Sequence, residues 1–355
     1  MVRNKRETGF ELLRIIAMFL IGAVHVMNYG GLLNNAAENT LKGHYLIYAF
    51  FTVSVNVFVL ISAYFMVTSK LKVTRILKLW LQVVTYSVIT YLISSLFIDY
   101  NFSFRQLIKS FLPILTNRYW FFTAYFIMVL LSPFINKILN NSSKKECYVL
   151  SSILLVLVYL ISRFDIVHVF NLAGGYSAFW FVILYIIAGT LRLHPLNIKK
   201  RYVLIVYILA TLGVWMFVFI GPNTNVLIRL IHSDLNYTSP LVIISSVSLL
   251  LLFKDINLKN VILHNSICFV SSLTFGIYLL QESNIKQWFY FEFLKVQQFW
   301  GTSYSAAAVL LVALEIFAFG AVCELVRKGV LMIYNLIKKV IKNKKLANET
   351  NENNA

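Results

Sequence analysis

Charge is scarce in this sequence: charged side chains make up 13% of its 355 residues, against roughly a quarter in a soluble domain. That shortage excludes an ordinary water-facing fold. Acidic residues are the scarcer kind, 14 Asp and Glu beside 32 Lys and Arg, and there are only five prolines. The three cysteines, Cys147, Cys268 and Cys323, are an odd number and two of them fall inside apolar runs, so no disulfide framework is expected. The sequence also lacks a Gly-rich phosphate loop, a Gly-x-Ser-x-Gly elbow and Cys or His pairs at metal-binding spacing. Signals for those chemistries are missing, and neither a metal nor a permanently bound cofactor is expected.

What the chain has instead is hydrophobicity. Apolar residues make up 59% of it, with 29 Phe and 20 Tyr. Stretches of about 18 or more apolar residues recur along almost its whole length, each enough to cross roughly 30 Å of hydrocarbon as a helix. This predicts an all-α, polytopic integral membrane bundle of about ten transmembrane helices. The spans are expected near residues 10–27, 45–67, 76–98, 119–138, 147–164, 177–193, 202–220, 238–253, 261–282 and 305–326. The ninth carries Asn265, Ser266, Ser271, Ser272 and Thr274, a polarity that predicts an inner helix.

In a soluble protein a net charge of +18 would point to nucleic acid, but here the cations cluster in alternate loops. With the N-terminus inside, the cytoplasmic segments hold 23 Lys and Arg and the outer loops hold eight. Cytoplasmic N- and C-termini are therefore expected, in a multi-pass membrane protein with no nucleic-acid partner. The start is basic, at Arg3, Lys5 and Arg6, but the following run carries Glu11 and Arg14 and has no small-residue cleavage site, so it is expected to be retained.

Two parts follow: a membrane domain over 1–326 and a cytoplasmic tail over 327–355. In the tail, Ile333, Leu336, Ile337, Val340 and Ile341 recur at helical spacing among lysines. That pattern fits an amphipathic helix on an anionic inner leaflet, or a charged tail that merely obeys the orientation rule. The last ten or so residues are expected to be disordered.

The first span carries the most unusual residues, an acid, an arginine and a histidine within FELLRIIAMFLIGAVHVMN. Ionisable groups in such a segment are costly and usually face a bundle interior. Arg14 and His25 are eleven residues apart, which at about 100° per residue puts them about 20° from a common face and roughly 16 Å apart along the axis. Glu11 precedes Arg14 by three residues, so the two can pair within one helix. His25 fits two roles, a packed histidine bonded to a neighbouring helix or a general base. Glu315, deep in the tenth span, needs a partner or a proton. The remaining histidines fall in loops or at span ends, where most are expected to be solvated.

The chain resembles the acyltransferase-3 family of bacterial membrane acyltransferases. That family's first helix typically reads acid, two residues, Arg, ten residues, His, which Glu11, Arg14 and His25 match. VNVFVLISAYFMV at 55–67 looks like its second helix, with Ala63 at a usual Gly. Arg75 and Lys78 resemble its Arg-x-x-Arg site, with Lys78 standing for the second Arg. NRYWFFTAYFIMVLLSPFIN at 117–136 and LTFGIYLLQE at 273–282 look like the branch that acetylates cell-surface polysaccharides. One departure is visible: the family's Tyr-Leu-Ile-His is Tyr278, Leu279, Leu280, Gln281 here. Glutamine can orient a group but cannot be a base.

The resemblance implies an O-acetyltransferase that moves an acyl group from cytoplasmic acyl-coenzyme A, most simply acetyl-CoA as co-substrate, to a hydroxyl of a cell-surface or lipid-linked glycan. It implies that His25 is the catalytic base, that Arg14 belongs to the core site with Glu11 beside it, and that Arg75 and Lys78 face the donor. Trp120, Tyr278, Gln281 and Glu282 become candidates for substrate binding. Each has a plainer role too: Arg75 and Lys78 as positive-inside anchors, Trp120 as an interfacial anchor, Glu282 as a solvated helix end. The rival function is a transporter or flippase of a lipid-linked sugar.

Overall fold

The computed structural model describes residues 6–163, 172–220 and 235–352, and all regular structure among them is helical. Each expected span corresponds to a helix or to a broken pair of helices. In chain order these are α1 (Thr8–Asn28), α2 (Glu38–Phe51), α3 (Ser54–Met66), α4 (Val73–Ile93), α5 (Phe104–Phe111), α6 (Trp120–Asn141), α7 (Lys144–Arg163), α8 (Ala178–Leu193), α9 (Lys200–Ile220), α10 (Pro240–Phe253), α11 (Val261–Ser271), α12 (Thr274–Gln281) and α13 (Ser305–Glu352). Among the described residues seven spans are long and apolar enough to cross a membrane, and α8 and α10 are shorter apolar helices. The chain is a polytopic membrane bundle.

α1 is its hub, packed against α2, α3, α10, α11, α12 and α13. Gly9 makes the closest approach: a Cβ there would lie 2.0 Å from the Phe253 carbonyl oxygen, and its N–H donates to Ile256 O at 2.9 Å. Only glycine permits that docking.

In hydrocarbon a helix can break only where other groups satisfy the freed backbone. Each break here is handled so. Pro133 lies inside α6 and cannot donate to Val129 O, and the Ser132 hydroxyl donates to that oxygen instead at 2.7 Å. Between α11 and α12, Lys328 Nζ donates to Ser272 O at 2.9 Å and Thr274 Oγ1 to Ser271 O at 2.8 Å. At the end of α3, Asn136 Nδ2 donates to Met66 O at 3.0 Å, while Tyr185 donates to Asn136 Oδ1 at 2.7 Å.

Several expectations are corrected. The inner position expected for the ninth span holds for α12, whose residues are nearly all buried, whereas α11 buries only Ile267 and Ser271. Glu315 is exposed on the flank of α13. The buried acid of that helix is Glu324, held by Arg327 at 2.6 and 2.7 Å, by Tyr86 at 3.0 Å and by Gln82 at 3.2 Å. His44 is fully buried, not solvated, and bonds Thr40 O through Nδ1 at 2.9 Å. His264 meets Thr8 Oγ1 at 2.6 Å; His168 and His232 lie outside the described residues. The tail continues α13 without a break as far as Glu352, and residues 353–355 lie outside the described residues.

Candidate active site

The face of α1 that carries Arg14 and His25 meets α11 and α12, and each polar residue finds its partner there. At the Thr8 end of the bundle, Glu11 Oε2 accepts from Arg14 Nη1 at 2.8 Å and from Ser271 Oγ at 2.5 Å. Arg6 Nε lies 3.3 Å from the other carboxylate oxygen. Glu11 is buried and carries two cations, so Arg14 keeps part of its charge for another partner, with its side chain 18% exposed.

At the Asn28 end both nitrogens of His25 are engaged. Nδ1 lies 2.8 Å from Gln281 Oε1 and Nε2 lies 3.2 Å from Glu282 Oε1. Glu282 also accepts from the Tyr29 hydroxyl at 2.8 Å and lies 3.8 Å from Lys286 Nζ. The Tyr29 ring leans on the imidazole with centroids 4.9 Å apart, and Lys286 caps its other neighbourhood 4.4 Å from the ring centre. Both partners are acceptors, an amide oxygen and a carboxylate oxygen, so a neutral ring donates to one of them at a time; with the proton on Nδ1, donated to Gln281, Nε2 holds the lone pair.

Beside Nε2 is a cavity of about 80 Å³, lined by His25, Glu282, Tyr29, Tyr278, Trp120 and Ser54 among others. Gln281 does not line it. Gln281 is buried behind the histidine, so it orients His25 and not a ligand. Along α1 the cavity reaches Met18 through Ile21, about 10 Å of helix toward Arg14. Trp120, at the start of α6, stands in its wall against Tyr176, with ring centroids 4.4 Å apart, and Tyr237 lies parallel to it at 6.5 Å. Asn56 fixes that rim: it donates to Tyr237 O at 2.8 Å and accepts from Trp180 at 3.0 Å.

Arg75 and Lys78 are exposed on the first turns of α4, away from His25. Arg75 lines a separate cavity of about 60 Å³ with Lys70, Lys72 and Tyr125; Lys78 does not.

The structure thus brings His25, Glu282, Gln281, Tyr278 and Trp120 together, and places Arg14 and Glu11 lower on the same helical face. A family model described as an acyltransferase domain matches residues 7–322. The chain belongs to the acyltransferase-3 family. The match spans every helix from α1 into α13, so the acyltransferase domain contains the whole site. No curated protein and no solved structure matches the chain.

Sequence reasoning about this acyltransferase missed Tyr29, Tyr176, Tyr237 and Lys286. Tyr29 lies four residues after His25, one helical turn further, and that spacing was the available signal. Tyr176 and Tyr237 come from loops far apart in sequence and carried none.

Proposed function

We propose that this acyltransferase moves an acetyl group from acetyl-coenzyme A to a glycan hydroxyl, with His25 as the base. The observation that carries the reading is the asymmetry at His25: Nδ1 is tied to buried Gln281, while Nε2 faces a cavity beside a carboxylate. A hydroxyl in that cavity donates its proton to Nε2 as its oxygen attacks the thioester carbonyl. Glu282 stabilises the imidazolium so formed, as Gln281 does from the other side. The carbon–sulfur bond then breaks, and the proton passes from the imidazolium to the departing thiolate. An acyl-histidine intermediate uses the same nitrogen as nucleophile.

In this reading the Thr8 end is cytoplasmic, as the cation distribution requires, and the donor enters there. Arg14, Arg75 and Lys78 supply charge for the coenzyme's phosphates. The cavity's extension from His25 to Met18 gives the thioester a course between the two ends. At the other end, Trp120, Tyr176 and Tyr237 offer aromatic faces to a sugar. Among the described residues, the Tyr278 hydroxyl is buried with no hydrogen-bond partner, which a polar acceptor supplies.

The transporter reading gains nothing from Glu324 and Arg327, which form a closed pair beside the bundle core. Mass spectrometry of surface glycan from cells with and without the protein separates the two functions. Loss of acetyl increments alone supports transfer, and loss of whole repeat units contradicts it.

A further inference from the structure

Acyl transfer creates negative charge where this site already holds one. As a hydroxyl adds to the thioester carbonyl, an electron pair moves onto the carbonyl oxygen, which becomes an anion beside His25. Glu282 already places a carboxylate 3.2 Å from Nε2, and among the described residues no Lys or Arg lines the cavity. A second anion in a low-dielectric interior next to the first is costly unless hydrogen-bond donors face it.

Most buried hydroxyls of these helices are already spent. Thr90, Ser151, Thr211 and Ser246 each donate to the carbonyl oxygen four residues earlier, the usual outlet inside a helix. Ser54 does not. α2 ends at Phe51 and α3 begins at Ser54, so the carbonyl four residues earlier belongs to another helix. Ser54 is 1% exposed and its hydroxyl has no partner. The Tyr278 hydroxyl, on α12, is in the same condition. Of the buried side chains left without a hydrogen-bond partner among the described residues, these two line the cavity of His25. Two other donors of the lining are committed, Tyr29 to Glu282 and Asn28 to Tyr48.

α3 and α12 both pack on α1, and Phe121 joins them: its ring is 5.9 Å from that of Phe58, one turn after Ser54, and 5.3 Å from that of Tyr278. Two unspent hydroxyls on two helices, and a base on a third, thus share one cavity of about 80 Å³. We infer that Ser54 and Tyr278 are catalytic residues whose hydroxyls donate to the thioester carbonyl oxygen and hold its negative charge in the tetrahedral intermediate. The inference rests on the acyl-transfer reading and deepens it. In the first step the acceptor's O–H bond breaks, its proton goes to Nε2 and its oxygen bonds the carbonyl carbon, while the two hydroxyls donate to the oxyanion. In the second the oxyanion's electron pair re-forms the carbonyl, the carbon–sulfur bond breaks, and the departing thiolate takes the proton from His25. The same oxygen is held if the ring itself is acylated first. These hydrogen bonds strengthen as charge develops, so their contribution falls on the transition state more than on donor binding.

The test uses the full chain in nanodiscs, labelled acetyl-CoA and the glycan acceptor, with Ser54→Ala, Tyr278→Phe and His25→Ala side by side. Each of the first two is expected to lower kcat by about 10² to 10³, the loss of one oxyanion donor, with acetyl-CoA binding and the glycan's KM near those of the unaltered protein. Neither should lower the thermal midpoint, because each deletes a buried group that has no partner in the fold. A rate loss that comes with a lowered midpoint makes the hydroxyl a packing group, and a raised KM at unchanged kcat makes it a ground-state contact; either result overturns the oxyanion assignment. So does near-normal transfer by Ser54→Ala or Tyr278→Phe while His25→Ala loses it, and the acyl-transfer reading then stands alone. Near-normal transfer by His25→Ala, or none by the unaltered protein, overturns the assignment together with the reading on which it rests.

Discussion

His25 Nδ1 and Gln281 Oε1 are 2.8 Å apart, with His25 in the cavity lining and Gln281 behind it. This contact, made across α1 and α12, holds the ring so that a proton on Nδ1 leaves Nε2 as the nitrogen with the lone pair. Glutamine stands where the family pattern has histidine, and its amide oxygen supplies the acceptor that the Nδ1 proton needs.

Replacing Gln281 with Leu removes that acceptor and leaves a buried N–H unpaired. Transfer should fall about a hundredfold, the low end of what a positioned base contributes. Gln281→Glu restores an acceptor oxygen and should recover much of the rate. Steady-state transfer from labelled acetyl-CoA measures both, and equal losses in the two variants would reduce Gln281 to a packing residue.

Arg14 sits about one turn below the cavity's lower reach at Met18 and spends one guanidinium nitrogen on Glu11 and Ser271. Arg14→Lys keeps the charge but loses the planar fork. The Michaelis constant for acetyl-CoA should rise by about tenfold, equivalent to about 1.4 kcal/mol of donor binding, with little change in kcat. A fall in kcat at unchanged Michaelis constant would move Arg14 from donor binding to the chemical step.

Glu324 lies where a side chain on Gly276 would be, because a Cβ there would come 2.4 Å from its Oε2. Arg327, Tyr86 and Gln82 all hold that carboxylate, so it cannot swing aside. Gly276→Ala should therefore lower stability in detergent by about 1 to 3 kcal/mol. Glu324→Leu strands a half-buried arginine inside the bundle and should cost about 3 to 5 kcal/mol. Thermal unfolding of the purified variants gives both values, and an unchanged midpoint for either contradicts the clamp.

Much of this arrangement was legible in the chain. Hydrophobic runs located the helices of the bundle, since the length needed to cross hydrocarbon is a property of composition, but among the described residues seven of the ten expected spans are long and apolar enough to cross. The spacing of Glu11, Arg14 and His25 predicted one face, and the structure turns that face toward α11 and α12. What sequence could not give was rotation about a helix whose surroundings are apolar on every side. Glu315 and Glu324 show the difficulty: nine residues at about 100° each put them on opposite faces of α13. Depth alone singled out Glu315, which faces outward. The signal that identifies Glu324 is Arg327 three residues on, the same pairing that marks Glu11 and Arg14. Trp120 and Glu282 each had an anchoring or solvated alternative, and only the fold brings them to one cavity. Residues delivered by loops, Tyr176 and Tyr237, follow no periodicity and became visible only through their ring contacts.

In the proposed reaction His25 takes the acceptor's proton, and the most direct measurement of that role is acyl transfer by His25→Ala beside donor binding by the same variant. Labelled acetyl-CoA, glycan acceptor and purified membranes with matched protein levels suffice. Transfer should fall by about 10² to 10⁴, or further if the ring also carries the acyl group, while acetyl-CoA binding and membrane insertion stay near those of the unaltered protein. Near-normal transfer by His25→Ala would contradict the assignment and return His25 to a packed histidine between Gln281 and Glu282.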